Sequence, residues 1–161
     1  MSSPAPAPLR LWLEISHHAA FRVGGWAWVR ADGIERAGQA GGERRVELER
    51  AVLLGLLSAL KSLPPGRAVE LHSACEALLA VPARLAAAEA GLDPPADNLE
   101  LWAQARTALS ARPVRMIRAE RTPGAPAAFA AAWAELGRDR ARDRGPFAAP
   151  IPRSNLAKAG L

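Results

Sequence analysis

The sequence predicts an α/β domain, a mixed five-stranded sheet flanked by helices in the order β-β-β-α-β-α-α-β-α. Three observations predict it. Segments with period-two alternation fill most of residues 9–40. A long segment with one broad apolar face follows at 43–63. Beyond it, short apolar strands at 68–73 and 114–120 alternate with helical stretches. Hairpin-joined strands pair antiparallel, and strands separated by a helix pair parallel, so the sheet is mixed.

Pro4, Pro6 and Pro8 mark residues 1–8 as a disordered lead-in to a domain at 9–144. Leu9, Leu11, Leu13 and Ile15 share one strand face, with Arg10, Trp12 and Glu14 on the other. Val23–Arg30 is the second strand. Asp32-Gly33 is a hairpin signal, Ile34–Ala40 the returning strand, and Gly41-Gly42 its break. In 43–63, Val46, Leu53, Leu57 and Leu60 form one face, widened by Val52, Leu56 and Leu63. Glu43 and Glu47 fall where the helix dipole favours anions. Pro64-Pro65-Gly66 ends that helix. Strand 68–73 follows, then a helix from about Cys75 to Val81, a further helical stretch Pro82–Gly91 where Pro82 can kink or split the run, and a helix Leu99–Ser110 capped by Asp97 or Asn98. Pro123-Gly124-Ala125-Pro126 turns the chain into a last helix, Ala127–Arg144. Residues 145–161, with three prolines, read as a basic tail.

The composition excludes several classes. Half of the 161 residues are hydrophobic and 23% are charged, which suits one folded domain rather than a disordered chain. The longest apolar run, Ala51–Leu60, is about half of what a membrane span needs. No secretory signal is visible, so a cytoplasmic location is expected. A single cysteine, Cys75, excludes an internal disulfide and a multi-cysteine zinc site. Nineteen of the 21 basic residues are arginine, and the excess is local: residues 111–161 carry ten bases and four acids, the rest eleven and twelve. A basic C-terminal third suggests an anionic partner, nucleic acid first. The plain alternative is a solvated arginine surface.

Several strings in this order resemble the type 1 ribonuclease H family, over residues 9–144. LRLWLEIS at 9–16 resembles a first strand that ends in Asp-Gly-Ser. Gly24-Gly25-Trp26 resembles the start of the second strand, and Arg45-Val46-Glu47-Leu48 the opening of the central helix. LHSAC at 71–75 sits where the fourth strand carries Thr-Asp-Ser. Asn98-Leu99-Glu100-Leu101-Trp102 resembles the start of a late helix, and 121–126 the loop before the last one. The resemblance implies a ribonuclease H-like fold.

It also implies hydrolysis of RNA in RNA–DNA hybrids by two Mg²⁺ ions held on four carboxylates. This sequence departs from that pattern. Glu14 stands at the first position, one methylene longer, and Glu47 matches the second. Ala74 and Ala132 stand at the third and fourth and cannot ligate a metal. The loop at 121–126 has no histidine, and Gly42-Glu43-Arg44 replaces the substrate-touching Thr-Asn-Asn. A residual Mg²⁺ on Glu14 and Glu47 is one expectation, and neutralisation of these acids by Arg44 or Arg45 is another. A relocated site would draw on His72 or Glu76, and on Glu135. His17-His18 reads as a loop pair, since neighbours seldom face one ion, and Cys75 as a buried structural thiol. Trp26, Trp102 and Trp133 read as core. Trp12 and Trp28 are expected either partly exposed or facing a helix on the second side of the sheet.

The sequence thus favours a catalytically degenerate domain that binds nucleic acid, RNA–DNA hybrid or duplex, through Arg44, Arg45, Arg118 and Arg121, with no cofactor required. The alternatives are a protein-interaction scaffold and a nuclease with a relocated metal site. The arginines at 138–144 are interleaved with aspartates and suit the helix C-terminus without any ligand.

Overall fold

The computed structural model describes residues 2–161. Strands β1 (Leu9–His18), β2 (Val23–Asp32) and β3 (Glu35–Arg44) form an antiparallel meander. Helix α1 (Leu48–Lys61) leads to β4 (Val69–Ser73), which pairs parallel with β1. Short helices α2 (Glu76–Leu79) and α3 (Val81–Glu89) and helix α4 (Leu99–Ser110) precede β5 (Val114–Arg118), parallel to β4. Helix α5 (Pro126–Arg144) is followed by β6 (Phe147–Pro150) and α6 (Arg153–Leu156). The sheet order is β5-β4-β1-β2-β3-β6.

The α/β class and the early meander are as the sequence predicts; the strand count is not. The sheet has six strands, and the sixth comes from residues expected to be a tail. β6 pairs antiparallel with the outer edge of β3. Its one proline, Pro150, suits an edge strand, where a missing N–H costs no ladder bond on the solvent side. Ile151, Leu156 and Ala159 are buried behind it, and enclosing the first two contributes about 1.5–3 kcal/mol each. The helical stretch over 75–91 splits, as Pro82 allows, at Ala80, with Pro82 in the first turn of α3 where its missing N–H is harmless. In the expected lead-in, Met1 lies outside the described residues. Residues 2–8 carry no helix or strand, and the Ala7 carbonyl accepts from Arg67.

The two faces of the sheet bury different partners. Leu9, Leu11, Leu13 and Ile15 of β1 pack with Leu53, Leu56, Leu60, Leu101 and Trp102 of α1 and α4. On the other face, Trp12, Ala27, Val29 and Ala40 pack with Ala127 and Ala134 of α5. Trp26 and Trp28 both lie in the first layer, and the Trp28 indole donates to Ser58 Oγ at 3.0 Å. Trp12 lies in the second layer, so neither Trp12 nor Trp28 is exposed. Trp133 is only partly buried, against the second layer.

Gly41-Gly42 does not break β3, which runs on to Arg44, and the helix starts later than predicted, at Leu48. The glycines are there because of what lies over them. A Cβ on Gly41 would strike the Trp26 ring, and one on Gly42 the Gly137 carbonyl of α5. A Cβ on Gly25 would strike the α5 backbone at Ala134 and Arg138. Helix α5 thus lies on β2 and β3 at backbone-to-backbone distance.

Candidate functional site

The alternation of β1 places Glu14 on the α5 face with Trp12. The parallel register sets Trp12 beside His72, so two residues on, Glu14 comes alongside Ala74, where β4 has ended and its backbone N–H is free of the ladder. Glu14 is fully buried. Its Oε2 accepts from Ala74 N at 2.7 Å and from Ser73 Oγ at 3.0 Å. Its Oε1 accepts from Arg121 Nε at 2.9 Å and Nη2 at 2.7 Å. Arg121 reaches it because the chain beyond β5 continues along β4, with Ala119 N donating to Ser73 O at 2.9 Å. Four donors engage the roughly four lone-pair positions of one carboxylate.

This donor set does not fit a pair of divalent cations. The Glu14 oxygens are taken, and a guanidinium already supplies the countercharge. Ala74 is at the site but offers only a methyl group and an N–H. Ala132 is exposed on α5, away from the residues that helix buries. Glu47, the residue before α1, is largely exposed and accepts from Arg22 Nε at 2.6 Å. Among the described residues no three His, Cys, Asp or Glu side chains converge on a point that could hold a metal.

The candidates for a relocated site are dispersed too. Glu76 is held in a bidentate pair by Arg118, which keeps its carboxyl below the usual range. Glu135 is exposed on α5. His72 stacks on Trp12 with centroids 4.9 Å apart, and its buried Nε2 has no hydrogen-bond partner among the described residues. His17 Nε2 bonds the Val46 carbonyl at 2.8 Å while His18 stacks on Phe21, so the two neighbours diverge. Cys75 is half-buried, and burial pushes its thiol up.

Of the four arginines predicted to touch nucleic acid, two are held by carboxylates, Arg118 by Glu76 and Arg121 by Glu14. Arg44 donates to the carbonyls of Ala141 and Arg142 at the end of α5, and keeps its charge unpaired. Arg45 is exposed at a left-handed backbone position (φ 56°) and has no bonded partner among the described residues. The expected neutralisation of Glu14 and Glu47 by Arg44 or Arg45 is therefore corrected: Arg121 and Arg22 do it. One signal in the sequence pointed to Arg121, since it continues the odd-numbered face of Ile117 and Ala119. Nothing local pointed to Arg22, because its pairing depends on the chain reversal after β1.

His72 has a measurable consequence. Burial lowers its pKa below the ordinary 6.5, Glu70 opposes that shift, and Arg10 reinforces it. The unfolded chain therefore takes up the proton first. Stability from this group is full above about pH 6.5 and falls as the pH drops toward the lower folded value. Chemical denaturation from pH 8 to pH 5 will show this decline, and His72→Phe will flatten it; an identical slope in the variant would refute the assignment.

No family model matches the sequence, and neither does any curated protein. Solved structures do match. LC9-RNase H1, a type 1 RNase H with the type 2 active-site motif, superposes with a TM-score of 0.64 at 14% identity, covering 99% of this chain and 87% of that one. RNase H1 from the halophilic archaeon Halobacterium salinarum NRC-1 gives 0.55 at 15% identity, covering 85% and 98%. LC11-RNase H1, crystallised in complex with RNA/DNA hybrid, gives 0.61 at 14% identity, covering 83% and 98%. The chain has the type 1 ribonuclease H fold.

Proposed function

We propose that this chain is a non-cleaving ribonuclease H-fold module that binds the sugar–phosphate backbone of RNA–DNA hybrid or duplex. The observation that carries the loss of cleavage is the Glu14 carboxylate, closed off by Arg121, Ser73 and Ala74. Two-metal hydrolysis needs several free carboxylates around adjacent dications, and here Glu14 and Glu47 each face a guanidinium. The nucleic-acid reading is supported by the arginine-rich charge, net +5, by the unpaired Arg45, and by the structural likeness to a ribonuclease H1 solved with hybrid. No divalent ion is required for such binding. No described helix is long and apolar enough to cross a membrane.

The test is anisotropy of a labelled hybrid titrated with the protein, alongside a cleavage assay in Mg²⁺ and in Mn²⁺. Micromolar binding is expected at ~50 mM salt, falling steeply as salt rises because condensed counterions are released. No product is expected. Absence of binding at low salt would remove the nucleic-acid reading. Metal-dependent cleavage that disappears in Glu47→Gln would restore a nuclease.

A further inference from the structure

We propose that the turn between β1 and β2 is a stacking platform for an unpaired nucleobase, with arginines placed for the adjoining phosphates. This rests on the nucleic-acid reading above and specifies which end of the domain makes the contact. Phe21 is a large aromatic left 52% exposed at that turn. Its ring stacks on His18, centroids 4.8 Å apart and planes 24° off parallel. The Arg142 guanidinium carbon lies 3.7 Å from the Phe21 ring centroid. Three planar groups therefore form one surface column, and all three are exposed.

The column is held in place by backbone. Val46 N donates to the Arg22 carbonyl at 3.0 Å, tying the turn to the chain before α1. Arg44 grips the Ala141 and Arg142 carbonyls at 2.8 and 2.7 Å and fixes the end of α5 beside it. Charge at this end of the domain is in excess. Arg22 is neutralised by Glu47, while Arg44, Arg45 and Arg142 form no ion pair among the described residues. By contrast, Arg118 and Arg121 near β5 are both matched by acids. Planar cationic and aromatic side chains stack on the faces of bases irrespective of sequence. A paired duplex hides those faces except at its ends, so the platform fits a single-stranded extension next to a hybrid or duplex.

The full chain is titrated against a labelled blunt hybrid and against the same hybrid carrying a short single-stranded extension, at low salt. The extension is expected to tighten binding by ~5-fold or more, as for one stacked base. Phe21→Ala should abolish that preference and leave blunt affinity unchanged. Phe21→Leu, which keeps apolar bulk without a π face, should do the same. Arg45→Ala should weaken both complexes and reduce the salt slope by about one. Equal binding of both ligands by the natural chain, or an extension preference that survives both Phe21 variants, overturns the platform while leaving backbone binding intact. Failure to bind either ligand overturns both readings.

Discussion

Arg121→Ala will destabilise the domain by about 3 kcal/mol, a drop of roughly 6–12 °C in Tm for a chain of this size. Glu14 has no exposure of its own, and the substitution removes its ion pair with Arg121 together with two charge-assisted bonds. Breaking a buried pair on one side leaves a desolvated charge, the costly half of the asymmetry. Arg121 is itself 46% exposed, so water enters where the side chain was, and the expected loss sits at the low end for such pairs. A second substitution separates charge from packing. Glu14→Gln keeps the shape and an acceptor for Ser73 and Ala74, and leaves Arg121 free to turn into solvent. Combined with Arg121→Ala, it should recover most of the lost stability. A double-mutant cycle by thermal melting measures this. Arg121→Ala within about 0.5 kcal/mol of the natural chain would mean that the guanidinium does not balance Glu14.

Gly25→Val will be at least as damaging, about 3 kcal/mol or more. The atoms it meets are the Ala134 carbonyl and the Arg138 backbone of α5, and neither can turn aside as a side-chain tip could. The helix must lift from β2, and Gly42 and Gly137, seated on one another across the same interface, would separate with it. Gly33→Ala is the control. Gly33 sits at the β2–β3 turn with φ of 60° and nothing near its missing Cβ, so only backbone strain of about 1 kcal/mol is expected. Urea denaturation of the two variants checks the contrast, and equal losses would refute the close-packing account.

What the sequence made legible followed from local periodicity. The alternation in β1 placed Leu11 and Leu13 in one layer and Trp12 and Glu14 in the other, and the structure keeps that division. The broad face of α1 was legible for the same reason. What failed depended on partners distant in the chain. Gly41-Gly42 read as a break because a glycine's local effect is to loosen, whereas here the Trp26 ring over Gly41 and α5 over Gly42 require their small size. Residues 147–150 read as tail because two alanines and a proline carry little strand signal, and only the exposed edge of β3 gives them one. At the site, Ala74 and Ala132 already stood in the sequence where the resemblance implies carboxylates. The cation beside Glu14 was hinted at only by the odd-numbered face that Arg121 shares with Ile117 and Ala119; its pairing with Glu14 depends on the bond between Ala119 and Ser73 that brings its loop there.

The guanidinium against Glu14 has one more consequence. A hydrated ion is borrowed from the surroundings, and its occupancy follows supply; Arg121 is tethered and always present. Glu14 thus has its countercharge built into the chain, and that pairing is expected to persist when a chelator removes magnesium.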